Sequence, residues 1–221
     1  MINYIHRKLF RPENGWDPIT PAYANNYREK IQASQVENVF VYLDSFVSSM
    51  ENLNVLDLGG GPGHFSIEFA KRGAKVVWCD VSRIYREIAK KKAQEVGVTL
   101  EFFLSYMEEV PLILEREFDL VFNRVCWYYG SSDFAMAEAV TKMVKVGGFL
   151  FLETNNSRSG KHSMKKWLQC FLNNIFWLKI GHPYPPKGRV EKLFRRNGFN
   201  ILDTDYRREG FDRIFAQKIV E

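Results

Sequence analysis

The sequence predicts an α/β fold: a doubly wound, seven-stranded, mostly parallel sheet with an antiparallel final strand and helices on both faces. Three observations carry this. From Asn54 onward short apolar runs alternate with helical patterns, as crossover units on a parallel sheet require. The first run, Val55 to Leu58, leads into Gly59, Gly60, Gly61 and Gly63, at the point where a strand hands over to a helix in such sheets. The last two runs are joined through Gly210 by a short turn, which makes them antiparallel.

Each element has its own signal. After the strand at Val55 to Leu58, Phe65, Phe69 and Ala70 share one helix face, and Gly73 suits the left-handed conformation past a helix end. Ala74 to Cys79 is the second strand. Ser82 is an N-cap candidate for a helix carrying Ile84, Ile88, Ala89 and Val96, with Glu87 and Lys91 one turn apart and Gly97 closing it. The third strand is Thr99 to Leu104 and the fourth Phe118 to Phe122. Asp133 is expected to cap a helix running to Val146, Gly147 and Gly148 to stop it, and Phe149 to Glu153 to form a fifth, very apolar strand. A helix near Val190 to Phe194 and strands at Asn200 to Tyr206 and Arg213 to Ile219 complete the pattern.

The ends differ from this centre. An arm containing Pro12, Trp16, Pro18, Pro21, Tyr23 and Tyr27 precedes a helix pattern through Val36, Val39, Phe40, Leu43 and Phe46, and reads as a lid and cover helix over residues 1–50. Residues 155–186 form a connection longer than a compact domain needs, so a function is expected of it. At 221 residues and 46% apolar content, one domain over 1–221 fits better than two: the lid, a core over 51–154, the insertion over 155–186, and a C-terminal helix and hairpin over 187–221. There is no internal repeat.

The formal charge of +5, from 31 Lys and Arg against 26 Asp and Glu, suits an anionic substrate or RNA and demands neither. Cys79, Cys126 and Cys170 lack paired spacing, which argues against a disulfide framework or a zinc site and for a reducing, cytoplasmic setting. No apolar core follows Arg7 and Lys8, so a signal peptide is not expected, and no run of 18 apolar residues marks a transmembrane segment.

Four glycines are more than a turn needs. Glycine permits positive φ and leaves room for a ligand against the main chain, while the helix that follows offers unpaired amides. Asp80, 23 positions beyond Asp57, lies at the end of the second strand, where its two oxygens suit the two hydroxyls of a ribose. Spacing separates two cofactor classes. A dinucleotide fingerprint wants glycine at positions 1, 3 and 6, and the sixth position from Gly59 is His64.

The stretches Val55-Leu56-Asp57-Leu58-Gly59-Gly60-Gly61-Pro62-Gly63, Cys79-Asp80-Val81-Ser82, Phe118-Asp119-Leu120-Val121-Phe122 and Met143-Val144-Lys145-Val146-Gly147-Gly148-Phe149 together resemble the class I S-adenosylmethionine-dependent methyltransferases. The resemblance implies S-adenosyl-L-methionine as cofactor and S-adenosyl-L-homocysteine as product. It places the glycine loop against the methionyl group and ribose, Asp57 near the ammonium, and Asp80 with Val81 at the ribose. A buried acid on a strand requires a partner, which agrees with that place for Asp57. Where the family often has Gly-Asp after the third strand, this chain has Ser105-Tyr106, so Tyr106 is expected along the adenine edge with the Met107 amide donating to the ring. Val146-Gly147-Gly148 replaces the frequent Pro-Gly-Gly. Asn123, at the end of the fourth strand, faces the donor in this fold.

The acceptor side is less defined. Trp127, Tyr128 and Tyr129 either wall the sulfonium by cation–π attraction or simply pack beneath the insertion. Tyr23, Trp127, Tyr128 and His162 are the substrate-side candidates, with His182 a second available base and His64 capping or packing near the glycine loop. In the insertion, Lys161, Lys165 and Lys166 precede Trp167, Leu168, Phe171, Leu172, Ile175, Phe176 and Leu178 at helical spacing. Packing on the domain is the first reading of that stripe, a pocket cover the second and an interfacial membrane helix the third. Arg189, Lys192, Arg195 and Arg196 read as a solvated face. The cofactor carries the hard chemistry, so no obligatory catalytic dyad is expected.

These features favour methyl transfer by in-line displacement to an O, N or C nucleophile of a small molecule. Basic clusters at 158–166, 189–196 and 207–213 keep RNA or protein as an alternative acceptor, although the Asn- or Asp-Pro-Pro-aromatic signature of nucleobase amino methylation is absent. A nicotinamide-dependent oxidoreductase and a non-catalytic S-adenosylmethionine-binding protein rank lower.

Overall fold

The structure, a computed structural model, describes residues 7–158, 163–176, 179–206 and 210–220. Its contacts divide the chain into two units, Arg11–Ser105 and the remainder.

In the first unit, α1 (Pro21–Lys30) starts where the Thr20 hydroxyl accepts the Tyr23 amide, with Pro21 in the first turn where its missing N–H costs nothing. α2 (Ala33–Leu43) buries Val39, Phe40 and Leu43, and Phe40 meets Phe69 edge-on at 4.6 Å. The sequence pattern ran on to Phe46; the helix ends at Leu43. β1 (Asn54–Leu58) is followed by α3 (His64–Lys71), β2 (Lys75–Asp80), α4 (Arg83–Glu95) and β3 (Glu101–Leu104). β2 is parallel to both β1 and β3 and sets Asp57 opposite Trp78. Val55, Leu56, Leu58, Val76, Val77, Trp78 and Cys79 are all buried, the continuous apolar run of a strand covered on both faces. Ser82 caps α4 as expected by accepting the Tyr85 amide, and Gly73 takes φ +87° past α3. The fully buried face of α4 is Tyr85, Ala89 and Ala93, with Ile84 and Ile88 at its edge.

The second unit contains a one-turn helix α5 (Val110–Ile113), β4 (Phe118–Arg124), α6 (Asp133–Met143), β5 (Val144–Asn155), α7 (Met164–Phe176), α8 (Arg189–Arg196), β6 (Phe199–Asp205) and β7 (Phe211–Lys218). β4 and β5 are parallel, while β7 is antiparallel to β5 and β6. The seven strands form one sheet in the order β3-β2-β1-β4-β5-β7-β6, the predicted fold class.

Two expectations for this unit are corrected. The cap of α6 is Ser132, whose hydroxyl accepts the amides of Phe134 and Ala135; Asp133 turns inward instead. α6 also stops at Met143, because the sheet claims the next residue: Val144 pairs with Phe118, and the register shifts before Leu120 meets Phe149. Gly147 and Gly148 therefore lie inside an irregular strand rather than behind a helix. A Cβ on Gly148 would sit 3.0–3.1 Å from the carbonyl oxygens of Lys145, Asp119 and Phe118, which is why a glycine is needed.

The insertion is closed at its neck. Asp212, fully buried, accepts from the Asn156 side-chain amide at 2.6 Å and from the Gly188 main chain at 2.8 Å, and the Ser157 amide donates to Pro185 at 2.8 Å. Within it, α7 overturns the first reading of its stripe: Trp167, Leu168, Phe171 and Ile175 point outward, whereas Cys170 and Asn173 are buried.

Candidate functional site

The glycine loop follows β1. Its four glycines answer to different demands. A Cβ on Gly60 would lie 2.3 Å from Trp78 Cδ1, and one on Gly63 2.6 Å from the Ala89 side chain, so those two positions are emptied by the protein's own packing. Gly59 and Gly61 have φ of +85° and +50°, which L side chains rarely adopt, and nothing lies within 4 Å of a Cβ at Gly61. The open space in the loop is at Gly61. Trp78 holds the loop from below by donating from its indole to the Gly61 carbonyl at 3.0 Å.

Two carboxylates belong to the loop's surroundings. Asp57 is 3% exposed, and the Ser66 hydroxyl donates to it in a short hydrogen bond; among the described residues no lysine or arginine pairs with it. Burial lifts its pKa to about 7, against the pull of the Ser66 hydroxyl and with a push from the charge of Asp80. Asp80 is half-buried and accepts the Gly61 amide at 3.0 Å on one oxygen and the Ser82 amide at 2.9 Å on the other. Burial raises it to about 6, while the amides of Ser82 and Gly61 act downward. Each oxygen keeps capacity for a further donor. The arrangement suits a ligand that brings a cation to Asp57 and hydroxyls to Asp80. Val81, next in the chain, is half-buried, and His64, at the start of α3, is held neutral by burial, its pKa lowered to about 4.

Sequence reasoning missed how the N-terminal arm is latched. Asp17 accepts from the Ile84 amide at 2.9 Å and the Ser82 hydroxyl at 3.1 Å, so it shares the capping of α4, and the Arg83 guanidinium donates to the carbonyls of Pro12 and Glu13 at 2.7 and 2.6 Å. A cap contributed by a residue 67 positions away leaves no local pattern to read. Tyr23, a substrate-side candidate, is exposed in the first turn of α1 and stacks on Tyr27 at 6.3 Å.

The second unit places the remaining candidates. Tyr106 is nearly buried, its hydroxyl donates to the Phe10 carbonyl at 2.6 Å, and the Arg7 guanidinium lies 4.8 Å above its ring. Asn123 is fully buried, and its amide donates to Met107 Sδ at 3.6 Å and Cys126 Sγ at 3.0 Å. The turn after β4 carries Val125 at φ +57°, an unusual conformation for a β-branched residue. Trp127 is corrected: it is fully buried, donates to Asp133 at 3.1 Å and meets Phe194 edge-on at 5.7 Å, so it belongs to the core and not to a substrate wall. Tyr128 does face the insertion. It packs against Tyr129 at 4.6 Å and Tyr184 at 4.8 Å, His182 lies against Tyr129 at 4.9 Å, and the Lys166 ammonium sits 3.7 Å from the Tyr184 ring centre. Burial raises the Tyr128 hydroxyl and lowers Lys166. His162 lies outside the described residues.

Behind this aromatic cluster is a buried charge cluster. Asp133 takes Lys179 at 3.3 Å and Arg189 at 3.4 Å, in addition to the Trp127 indole. Arg189 also donates to the carbonyls of Asn173 and Asn174 at 2.9 and 3.1 Å, satisfying main-chain acceptors at the end of α7. Its reading as part of a solvated face is overturned.

A family model described as a methyltransferase domain matches residues 55–148. A ubiquinone biosynthesis O-methyltransferase of Rhizobium etli is 31% identical over 199 residues, 88% of this chain and 75% of that protein. The chain belongs to the class I S-adenosylmethionine-dependent methyltransferases. The corresponding protein of Brucella anthropi is 28% identical over 88% of the chain and 75% of its own length, while a tRNA 5-carboxymethoxyuridine methyltransferase of Escherichia coli is 29% identical over 52% of the chain and 46% of its own. Among solved structures, magnesium protoporphyrin IX methyltransferase of Synechocystis with bound S-adenosylmethionine shares the fold with a TM-score of 0.61 and 22% identity, over 84% of this chain and 78% of that one. This methyltransferase uses S-adenosylmethionine. Among its described residues, no His, Cys, Asp and Glu cluster that could hold a metal ion is found, and no helix is long and apolar enough to cross a membrane.

Proposed function

We propose that this methyltransferase transfers a methyl group to an oxygen nucleophile of a small molecule, in the cytoplasm. The observation that carries the oxygen acceptor is the extent of similarity: relatives named as O-methyltransferases match over 88% of the chain, the tRNA-modifying relative over 52%. No disulfide joins Cys79, Cys126 and Cys170, which supports the reducing compartment.

In this reading Asp57 pairs with the methionyl ammonium, Asp80 accepts the ribose hydroxyls beside Val81, and the chain passes close at Gly61, with Gly59, Gly60 and Gly63 shaping the loop. The buried Asp57, which no lysine or arginine among the described residues pairs with, the open side of Gly61 and the remaining acceptor capacity of Asp80 support those places. Tyr106, Met107 and Asn123 are the remaining cofactor candidates, and Tyr128, Tyr23 and His162, the last outside the described residues, the acceptor candidates. When bound, the cofactor supplies an electrophilic methyl group on a sulfonium that leaves as a neutral thioether. The chain has then to orient the acceptor and exclude water, which can lower a barrier by roughly 7–11 kcal/mol, while a base such as His182 adds about 10²–10⁴-fold for a protonated nucleophile.

Thermal melts with S-adenosylhomocysteine and with NAD, followed by transfer of labelled methyl to a panel of phenols, carboxylates and amines and to bulk tRNA, test the proposal. Stabilisation by S-adenosylhomocysteine and label on an oxygen acceptor are expected. Label in tRNA alone would overturn the small-molecule reading.

A further inference from the structure

We propose that the outer face of α7 docks on the surface of an anionic lipid bilayer. Met164, Trp167, Leu168, Phe171, Ile175 and Phe176 recur on one side of the helix and are 79%, 53%, 49%, 40%, 54% and 65% exposed. The helix is not free to roll and hide them. Cys170 and Asn173 are buried on its inner side, and Arg189, itself held by Asp133, grips the carbonyls of Asn173 and Asn174.

Charge identifies the occupant. Between Glu153 and Glu191 the sequence contains seven basic residues, Arg158, Lys161, Lys165, Lys166, Lys179, Lys187 and Arg189, and no acidic one; Lys179 and Arg189 are spent on the buried Asp133, which leaves five. Arg158, Lys165 and Lys187 are exposed. A partner must therefore offer an apolar layer beneath a negative surface, which an anionic bilayer does. RNA offers the charge without the apolar layer, and a second copy would oppose two cationic segments. At 13 residues α7 is about 20 Å long, too short to span a hydrocarbon core of roughly 30 Å, so it lies in the interface with Trp167 at headgroup depth.

Flotation of the full chain with vesicles of phosphatidylcholine alone, or mixed equally with phosphatidylglycerol, tests this. Binding to the mixed vesicles, weakened by salt, and little to phosphatidylcholine alone are expected. Trp167→Ser with Phe171→Ser should lower partitioning by roughly tenfold or more, and Lys165→Glu by several-fold, each with an unchanged melting temperature because the positions are exposed. If the double variant loses its cooperative melt, quenching of wild-type tryptophan emission by brominated acyl chains decides, and no quenching overturns the proposal. Absence of binding to mixed vesicles, equal binding by a folded double variant, a lipid-free dimer that the double variant abolishes, or tRNA binding lost in these variants would each overturn it.

Discussion

The glycine loop and the insertion are built by opposite means. The loop answers demands from β2 and α4 of its own unit: Gly60 yields to Trp78, Gly63 to Ala89, and Asp80 ties the Gly61 and Ser82 amides. The insertion is held by charges far apart in sequence, Asp133 meeting Lys179 across 46 positions and Arg189 across 56. One region is shaped by what the backbone must avoid, the other by what a buried carboxylate must find. Close-range constraints write themselves into the sequence as spacing; long-range ones do not.

Mutations can separate the two regimes. The largest effect is expected from Asp133→Ala, which leaves two buried cations and an indole without their acceptor: about 3–5 kcal/mol of unfolding free energy, read by urea denaturation, with early proteolysis inside 155–186. If the insertion resists protease as in the wild type, charge does not hold it. Asp80→Ala should cost about 1.5–3 kcal/mol of cofactor binding by calorimetry, through loss of charged hydrogen bonds; unchanged affinity would put the ribose elsewhere.

Gly60→Ala and Gly61→Ala divide the loop's two roles. The first should destabilise the fold by about 1–3 kcal/mol, since its new methyl meets Trp78. The second should leave the melt closer to wild type yet weaken cofactor binding by more than its stability cost. Equal behaviour of the two variants would remove the assignment of the open space at Gly61.

The mildest expected effect is a pH dependence. Because burial lifts Asp57 to about 7, the folded chain without cofactor holds a proton that the unfolded chain releases near the ordinary carboxylate value. Asp57 therefore favours folding fully below that value, and its contribution fades as pH rises toward 7. Cofactor affinity should move the opposite way, rising as Asp57 ionises to meet an ammonium group. Asp57→Asn should flatten both trends in melts and calorimetry from pH 5 to 8, and a persistent slope would assign it to another group.

Legibility in the sequence follows the same division. β1, β2 and the α4 cap at Ser82 lie within a residue or so of their expected places, since period and cap chemistry are local. The α6 to β5 junction departs from its expected place because Val144 is claimed by sheet pairing with Phe118, which no period or cap within the segment encodes. The outward face of α7 was misread for a related reason. Its periodicity is plain, but which side turns inward is decided by Arg189 and Asp133, and an apolar stripe alone does not contain that information. Trp127 likewise reads as a binding aromatic until Asp133 is seen to accept a hydrogen bond from its indole.

The neck and anchor of the insertion also bear on protein engineering. Lys179 lies within residues 155–186, while its carboxylate partner Asp133, the Arg189 that finishes α7 and the Asp212 that closes the neck all lie outside. A chimera cut at those boundaries would import an orphaned ammonium group into a foreign scaffold and leave behind a hollow lined with unmatched charge. Transplanting this segment as a cassette will succeed only if the three distant residues travel with it.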